Sequence, residues 1–384
     1  MKRTNFLTVL LYIIFICSSA TAATLDNKGT EFWLAFPKNI SNPSYLQLYI
    51  TGDTTTSGTV SVASESFSEN FTVTPGEVTT VEVPVSTMIT SNQTVEDKGI
   101  HVTSQEEVII YGINRAGATT DAYMGLPVDV LGNEYLALSY ANNISDSNFT
   151  ILGTEDGTSV TISPSAASGL SSDISFTLNQ GEIYNLSRTG ADEDVTGSVI
   201  TSDKPIAVYG GSQCITIPQD IGACDHIVEQ LPPTSTWGKN FVTVPLAVRI
   251  NGDTFRILAS ADNTTLQIDG TSVATLARGE YYETILDASS YIEADKPVLT
   301  AQYSHGVSYD NTTGDPFMML IPPYEQFLNR YTVTTPAEGF DVNYANLVVP
   351  SSIKSNVTFD DGTVPESSFT QIGDTDFYGA QVSV

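Results

Sequence analysis

One phrase returns along this chain at nearly even spacing, and it limits the fold more than any single motif. ITSDKPIAVYGG (200–211) matches IEADKPVLTAQYSHG (292–306), and HVTSQEEVIIYGINR (101–115) holds the same place upstream. After a short polar gap each is followed by an apolar stretch with proline: AYMGLPVDVLGNEYLALSY (122–140), HIVEQLPPTSTWGKNFVTVP (226–245) and PFMMLIPPYEQFLNRYTVTTP (316–336). Then come FTILGTEDGTSVTI (149–162), FRILASADNTTLQI (255–268) and YANLVVPSSIKSNVTF (344–359). LNQGEIYNL (178–186) aligns with LARGEYYETI (276–285), and TPGEVTTVEV (74–83) has the same form in the first unit. A period of about 90 residues defines a tandem of related units. Four are expected, at 23–118, 119–213, 214–310 and 311–384. The last ends without a D-K-P strand and is read as incomplete.

Inside the repeat, apolar and polar residues alternate, as in TVSVAS (59–64), TVEVPV (80–85), SVTISP (159–164) and TLQIDG (265–270). Period-two patterning bounded by Gly, Pro, Asn and Asp specifies strands and tight turns, so the chain is all-β. Asp156-Gly157, Asp269-Gly270 and Asp361-Gly362 are dipeptides that close hairpins. A single helical turn fits Asp225–Leu231 or Pro323–Asn329. About seven short strands per unit suit a small antiparallel β-sandwich. The alternative is a β-propeller, in which each unit supplies two blades.

The first 22 residues carry Lys2 and Arg3, the apolar run NFLTVLLYIIFIC and small residues at Ala20-Thr21-Ala22, the three parts of a secretory signal. No later run is long enough to span a bilayer, so a secreted, extracellular or cell-surface chain is expected. Without Lys2 and Arg3, 13 basic residues face 44 acidic ones, a net charge of −31. Such a field repels phosphate backbones and argues against nucleic acid as a partner. Cys17 leaves with the leader, which leaves Cys214 and Cys224. In an oxidising compartment this even pair forms one disulfide; the alternative joins both to His226 as metal ligands.

The remaining chemistry is sparse. His101, His226 and His305 are the three histidines, and no G-x-S-x-G elbow accompanies them. H-E-x-x-H, C-x-x-C and the EF-hand calcium pattern are absent, so no metal or cofactor is expected. NGD (251–253), ADN (261–263) and DDG (360–362) read as turns. Trp33, Trp237 and Tyr324 are candidate binding residues, with Tyr45 and Tyr123, for stacking on sugars or anchoring a protein; packing between units is the competing role. A carboxylate pair acting as a glycoside hydrolase is the alternative function. Nine N-x-S/T sequons, at Asn39, Asn70, Asn92, Asn143, Asn148, Asn185, Asn263, Asn311 and Asn356, mark glycosylation loops if the source is eukaryotic.

The segment GSQC to LQI (211–268), which contains CDHIVEQLPP (224–233), with DKPIAVYGG (203–211) before it and GTEFWLAFPKN (29–39) near the start, resembles the IgGFc-binding protein N-terminal domain family. The resemblance extends over 23–384. It implies a secreted, non-enzymatic binding or adhesion protein whose partner is an extracellular glycoprotein, polysaccharide or protein. The family takes its name from a secreted mucus protein of animals associated with the Fc part of IgG. The sequence as given shows none of the cysteine-rich von Willebrand D-type repeats of that large protein, so disulfide gel-linking is not expected of it. The resemblance carries over no immunoglobulin contact and no catalytic residue.

Overall fold

A computed structural model describes residues 26–384, apart from 142–143, 191, 312–313, 336–339, 341 and 361. The leader at 1–22 lies outside the described residues. The chain is all-β with antiparallel sheets. A first group contains β1 (Gly29–Leu34), β2 (Tyr45–Thr51), β3 (Thr56–Val62), β4 (Phe67–Val73), β5 (Thr79–Val83), β7 (Ile100–Ala116) and β8 (Thr119–Met124), while β6 (Val95–Asp97), from the same stretch of chain, pairs with β13 of the second group's sheet. A second contains β9 (Gly132–Leu136), β10 (Ser147–Gly153), β11 (Thr158–Ser163), β12 (Ile174–Leu178), β13 (Glu182–Arg188), β14 (Val199–Ile215) and β15 (Asp225–Leu231). A third contains β16 (Gly238–Val242), β17 (Asp253–Ala259), β18 (Thr264–Ile268), β19 (Thr271–Leu276), β20 (Tyr281–Leu286), β21 (Tyr291–Tyr303) and β22 (Met318–Ile321). The last comprises β23 (Tyr344–Pro350), β24 (Thr358–Phe359), β25 (Gly362–Thr363), β26 (Thr370–Gln371) and β27 (Phe377–Ser383).

The returning phrase of the sequence is the longest strand of each group. The start of β7 pairs with β1 and β3, whereas its end pairs with β2 and β8. β14 does the same with β9 and β11, then β10 and β15. β21 follows with β16 and β18, then β17 and β22. One strand thus serves two half-sheets that share a core, a sandwich-like unit in place of four-stranded blades. Hydrogen bonding puts β8, β15 and β22, the strands after each polar gap, in the sheet of the long strand before them.

Asp-Lys-Pro marks the place where the long strand changes partners. Asp203 Oδ1 accepts the amide of Ser159 at 2.8 Å, and Asp295 Oδ1 accepts that of Thr265 at 2.8 Å. Lys204 and Lys296 donate to the turn carbonyls of Asp156 and Asp262. Pro205 and Pro297 carry no N–H where no ladder partner exists, and Thr154 and Ser260 donate to their carbonyls. The motif is therefore a crossing device.

A second device joins the groups. β1, β9 and β16 open on Gly29, Gly132 and Gly238, where a Cβ would lie 2.2, 2.7 and 2.2 Å from Pro127, Pro233 and Pro323. These prolines precede the single 3-10 turns at Val128–Val130, Thr234–Thr236 and Tyr324–Gln326. The core of the first group takes in Leu152, Ile183, Ala207, Tyr209 and Val228 of the second. That of the second takes in Leu258, Leu299, Ala301, Tyr303 and Met318 of the third. Every residue of β10 and β17 is consequently buried. The last group rests on the third through Val242, Val244 and Ile372. Residues 322–335 return to the first group, where Arg330 pairs with Asp53 and the Tyr111 hydroxyl donates to the Thr332 carbonyl.

Three local expectations are corrected or bounded. Asp225–Leu231 is strand β15, not a helical turn, because its N–H groups are taken by β14 and by side chains. Asp269-Gly270 closes the β18–β19 hairpin with φ of 50° and 75°, but Asp156-Gly157 carries the chain between half-sheets and closes no hairpin. Asp361 lies outside the described residues.

Candidate interaction surface

Strand register decides which loops share an end. β2 begins opposite the end of β7, with Tyr45 facing Arg115, so the loop at 35–44 arrives beside the β7–β8 turn. The loops before β10 and β17 likewise meet the β14–β15 and β21–β22 connections. Adjoining loops are bonded together. Ile40 N donates to Gln213 O at 3.2 Å, and Gln213 N donates to Asp146 Oδ1 at 2.9 Å. Gly306 N donates to Ile217 O at 2.9 Å, and Arg249 pairs with Asp310 at 3.4 Å.

This end carries apolar side chains that the sheets do not cover. Ile40, Ile144 and Ile250 occupy the same place in their loops, a few residues before β2, β10 and β17, and are 47%, 51% and 71% exposed. Val248, Ile221 and Val307 join them. Val248 is held at φ 59°, a conformation that strains a β-branched side chain. An apolar residue left in water at one position of each repeat is not a packing requirement. The signal was present in the sequence as Asn-Ile-Ser, Asn-Ile-Ser and Arg-Ile-Asn, but sequence reasoning missed it because alternation draws attention to buried positions.

The Cys214–Cys224 disulfide, with Cα atoms 5.1 Å apart, closes one loop of this end. Its sulfurs are bonded to each other, which removes the alternative of a metal shared with His226. The His226 ring is buried below them, with Nδ1 2.8 Å from Ser212 O, and burial lowers its pKa to about 4. His305 is likewise lowered to about 4, chiefly by burial, with Nε2 2.8 Å from Thr254 Oγ1. Both members of that hydroxyl–imidazole pair are buried, and Nδ1 of His305 has no partner to orient it for proton relay. His101 stacks on Trp33 at 4.2 Å and meets Glu31 at 2.9 Å.

Trp33 and Trp237 are 6% and 8% exposed and offer little surface to a ligand. Trp33 accepts at its carbonyl from Tyr209, and Trp237 donates Nε1 to Pro232 O. Tyr123 is buried, whereas Tyr45 is half-buried beneath Arg115. Tyr324 is 37% exposed and packs at 5.2 Å on Phe377, away from the loop end. The structure does not bring these aromatics together. Among the sequons, Asn39, Asn148 and Asn185 are buried in the fold, and Asn143 lies outside the described residues.

Beneath the loops, β8, β15 and β22 lie side by side without a backbone ladder among them. Side chains replace it. Asp225 Oδ1 accepts Thr120 N at 2.7 Å, Asp121 Oδ2 accepts Val228 N at 2.9 Å, and Gln230 Oε1 accepts Leu126 N at 2.9 Å. Glu229 Oε1 accepts Leu320 N at 3.4 Å. Burial, with a smaller push from Asp315, raises Asp225 to about 7. Burial, with a smaller push from Asp225 on Asp121 and from Asp121 on Glu229, also holds these two carboxyls well above the usual carboxylate range. These carboxyls are committed to amides in the interior and are not displayed to a substrate.

Stacked sandwich-like units gather their loops at one end, which carries an apolar surface and a disulfide-closed loop. The chain belongs to the IgGFc-binding protein family: the profile described as "IgGFc binding protein" matches residues 121–384. The human IgGFc-binding protein is 26% identical over 337 residues, which cover 81% of this chain. The chain spans 6% of the length of that relative.

Proposed function

We propose that the chain is an exported, non-enzymatic binding protein that engages an extracellular protein or glycoprotein through its loop end. The observation that carries the reading is the threefold repetition of an exposed isoleucine at Ile40, Ile144 and Ile250. The leader-like segment at 1–22 and the Cys214–Cys224 bond support export. The name of the human relative directs attention to the Fc part of immunoglobulin G as the first ligand to test.

Each half-exposed isoleucine that becomes buried in a complex contributes roughly 1 kcal/mol, so changing all three weakens binding by about 100-fold. The test compares the wild-type chain with Ile40→Asp/Ile144→Asp/Ile250→Asp on immobilised Fc, on deglycosylated Fc and on a panel of mucin-type glycoproteins and polysaccharides. Binding to a protein analyte that the triple variant loses is expected. Unchanged binding by the triple variant overturns the assignment of the surface. Hydrolysis of a polysaccharide, abolished by one Asp or Glu substitution, overturns the non-enzymatic reading.

A further inference from the structure

The half-sheet made by β4, β3 and the start of β7 carries a groove that neither loop nor neighbouring group fills. Alternation buries Val60 and Val73 and leaves Ser57 opposite Thr72, and Thr59 opposite Asn70 and Thr103, on the other side. Gly58 stands among them, paired with Phe71 and Ser104, at the place that Val160 and Leu266 take in the second and third groups. A Cβ at Gly58 would lie 2.1 Å from Thr103 O and 2.3 Å from the Phe71 ring, so β3 is drawn against both neighbours there. A groove of about 500 Å³ opens at this point, lined by Gly58, Phe71 and the polar side chains around them.

The lining is rich in hydrogen-bonding groups and carries no charge. Thr59 Oγ1 donates to Asn70 Oδ1 at 2.9 Å, which leaves the Asn70 Nδ2 donors free. The hydroxyls of Ser57, Thr72 and Thr103 and the amide of Gln105 have no protein partner among the described residues. Asn70, Thr72, Thr103 and Gln105 are exposed, so the groove is open along its length. No Asp, Glu, Lys or Arg lines it, in a chain whose net charge without the leader is −31. Gln105 also borders a smaller hollow that holds Glu106 and Glu107, and the uncharged stretch ends there.

We propose that this groove binds an uncharged polysaccharide. Its free hydroxyls and amides offer donors and acceptors side by side, which is what the hydroxyls of a neutral sugar require, since each both donates and accepts. The space is within the roughly 300–1,000 Å³ of small-ligand sites, and its open length admits a chain. An acidic glycan meets the repulsion of the whole molecule and of Glu106 and Glu107, and a basic partner finds no carboxylate in the groove. The groove lies at the start of β7, whereas the loop end lies at its finish, so the inference is independent of the loop-end function.

The full chain, made in a bacterial periplasm so that the Asn70-Phe71-Thr72 sequon stays unmodified, is titrated with gluco-, xylo-, manno- and galacto-oligosaccharides and, as anionic probes, with heparin and polygalacturonate. Saturable binding of at least one neutral oligosaccharide is expected, with a Kd below about 1 mM. In the wild-type chain its addition should shift the side-chain amide resonances of Asn70 and Gln105. Asn70→Ala/Gln105→Ala should weaken binding roughly tenfold or more, and Thr72→Arg, which fills the groove from an exposed position, should abolish it. No neutral binding, binding of the anionic probes alone, or unmoved Asn70 and Gln105 resonances overturns the proposal. So does loss of sugar binding in the triple isoleucine variant, which would put the sugar at the loop end. That variant should bind the oligosaccharide like wild type, so the two readings fail separately.

Discussion

Arg256 sits in the interior between the second and third groups, and its loss should expose how they are held together. Its Nη1 donates to Asp194 Oδ2 at 2.8 Å and to Ser139 O at 2.6 Å, and its Nε donates to Glu283 Oε2 at 2.7 Å. The guanidinium lies 3.9 Å from the centre of the Tyr140 ring and 4.4 Å from that of Tyr281. Its side chain and that of Asp194 are 5% and 7% exposed. Burial alone would raise the Asp194 pKa, but the Arg256 charge and the Thr196 bonds outweigh it, and the group is lowered. Arg256→Met keeps the stem and removes the charge. Stranding a buried carboxylate costs about 3–5 kcal/mol. Asp194 keeps four bonds, from Thr196 N, Thr196 Oγ1, Ser147 Oγ and the Tyr281 hydroxyl, so the lower figure applies. Loss of the two ring contacts adds roughly 1 kcal/mol, for a total of about 4 kcal/mol. Asp194→Asn in the same chain should restore about 2 kcal/mol, because the stranded charge is gone. Urea unfolding followed by Trp237 fluorescence in a Trp33→Phe background measures both, since Trp237 belongs to the affected core. A loss below about 1 kcal/mol for Arg256→Met, or no recovery in the double variant, refutes the reasoning.

Three further outcomes are expected. Cys214→Ala/Cys224→Ala, which opens a loop with a sequence separation of 10, should cost about 2.7 kcal/mol in chemical unfolding; a cost below about 1 kcal/mol refutes a constraining role. Asp225 binds a proton in the fold that the unfolded chain has released, so it reduces stability as pH rises from about 4 to about 7. Asp225→Asn keeps the Oδ1 acceptor for Thr120 and His226 and should raise the urea midpoint at pH 8 but not at pH 4; equal effects at both would contradict this. His226 and His305, lowered to about 4, act with the opposite sign between about pH 4 and 6.5, so the wild-type profile is flatter there than either contribution. Gly132→Ala sets a Cβ 2.7 Å from Pro233 and should lower stability by about 1–3 kcal/mol, read by calorimetry; an unchanged melting profile would mean that the proline turn yields freely.

Much of the fold was legible because alternation and repetition report backbone geometry directly. The long strands lie at the recurring phrases, and Cys214 and Cys224, paired in the sequence reading by their even number, are bonded, whereas the change of partners at D-K-P emerged only from the strand register. What the repeats hid was partner choice. HIVEQL reads as the opening of a new unit because it follows a polar gap, yet its amides complete the sheet of β14. Trp33 and Trp237 look like ligand platforms as residue types, and only the stacking of one group on the next shows both to be enclosed. The loop-end isoleucines were equally visible as letters. Their exposure depends on which strands begin at the same end, and pairing register is not written in any single segment.

The acidity of the chain takes on a second meaning beside solubility. Carboxylates recur as acceptors for backbone amides that a ladder leaves unpaired. Glu182 accepts Asn179 N and Glu280 accepts Ala277 N, both at 2.7 Å. Asp156 and Asp262 accept the amides of Gln180 and Arg278, and Asp203 and Asp295 those of Ser159 and Thr265. Each pair falls at equivalent places in the second and third groups. The same chemistry then joins groups, where Asp121, Asp225 and Glu229 accept amides across the β8–β15–β22 seam. A tandem of sandwiches multiplies turns and meeting edges, and every such place leaves N–H donors that need an acceptor. Asp and Glu meet the need where backbone carbonyls cannot reach. Lys and Arg cannot substitute, because they only donate. The negative balance thus follows in part from building by repetition, and a neutralised surface would have to leave these turn and edge carboxyls in place.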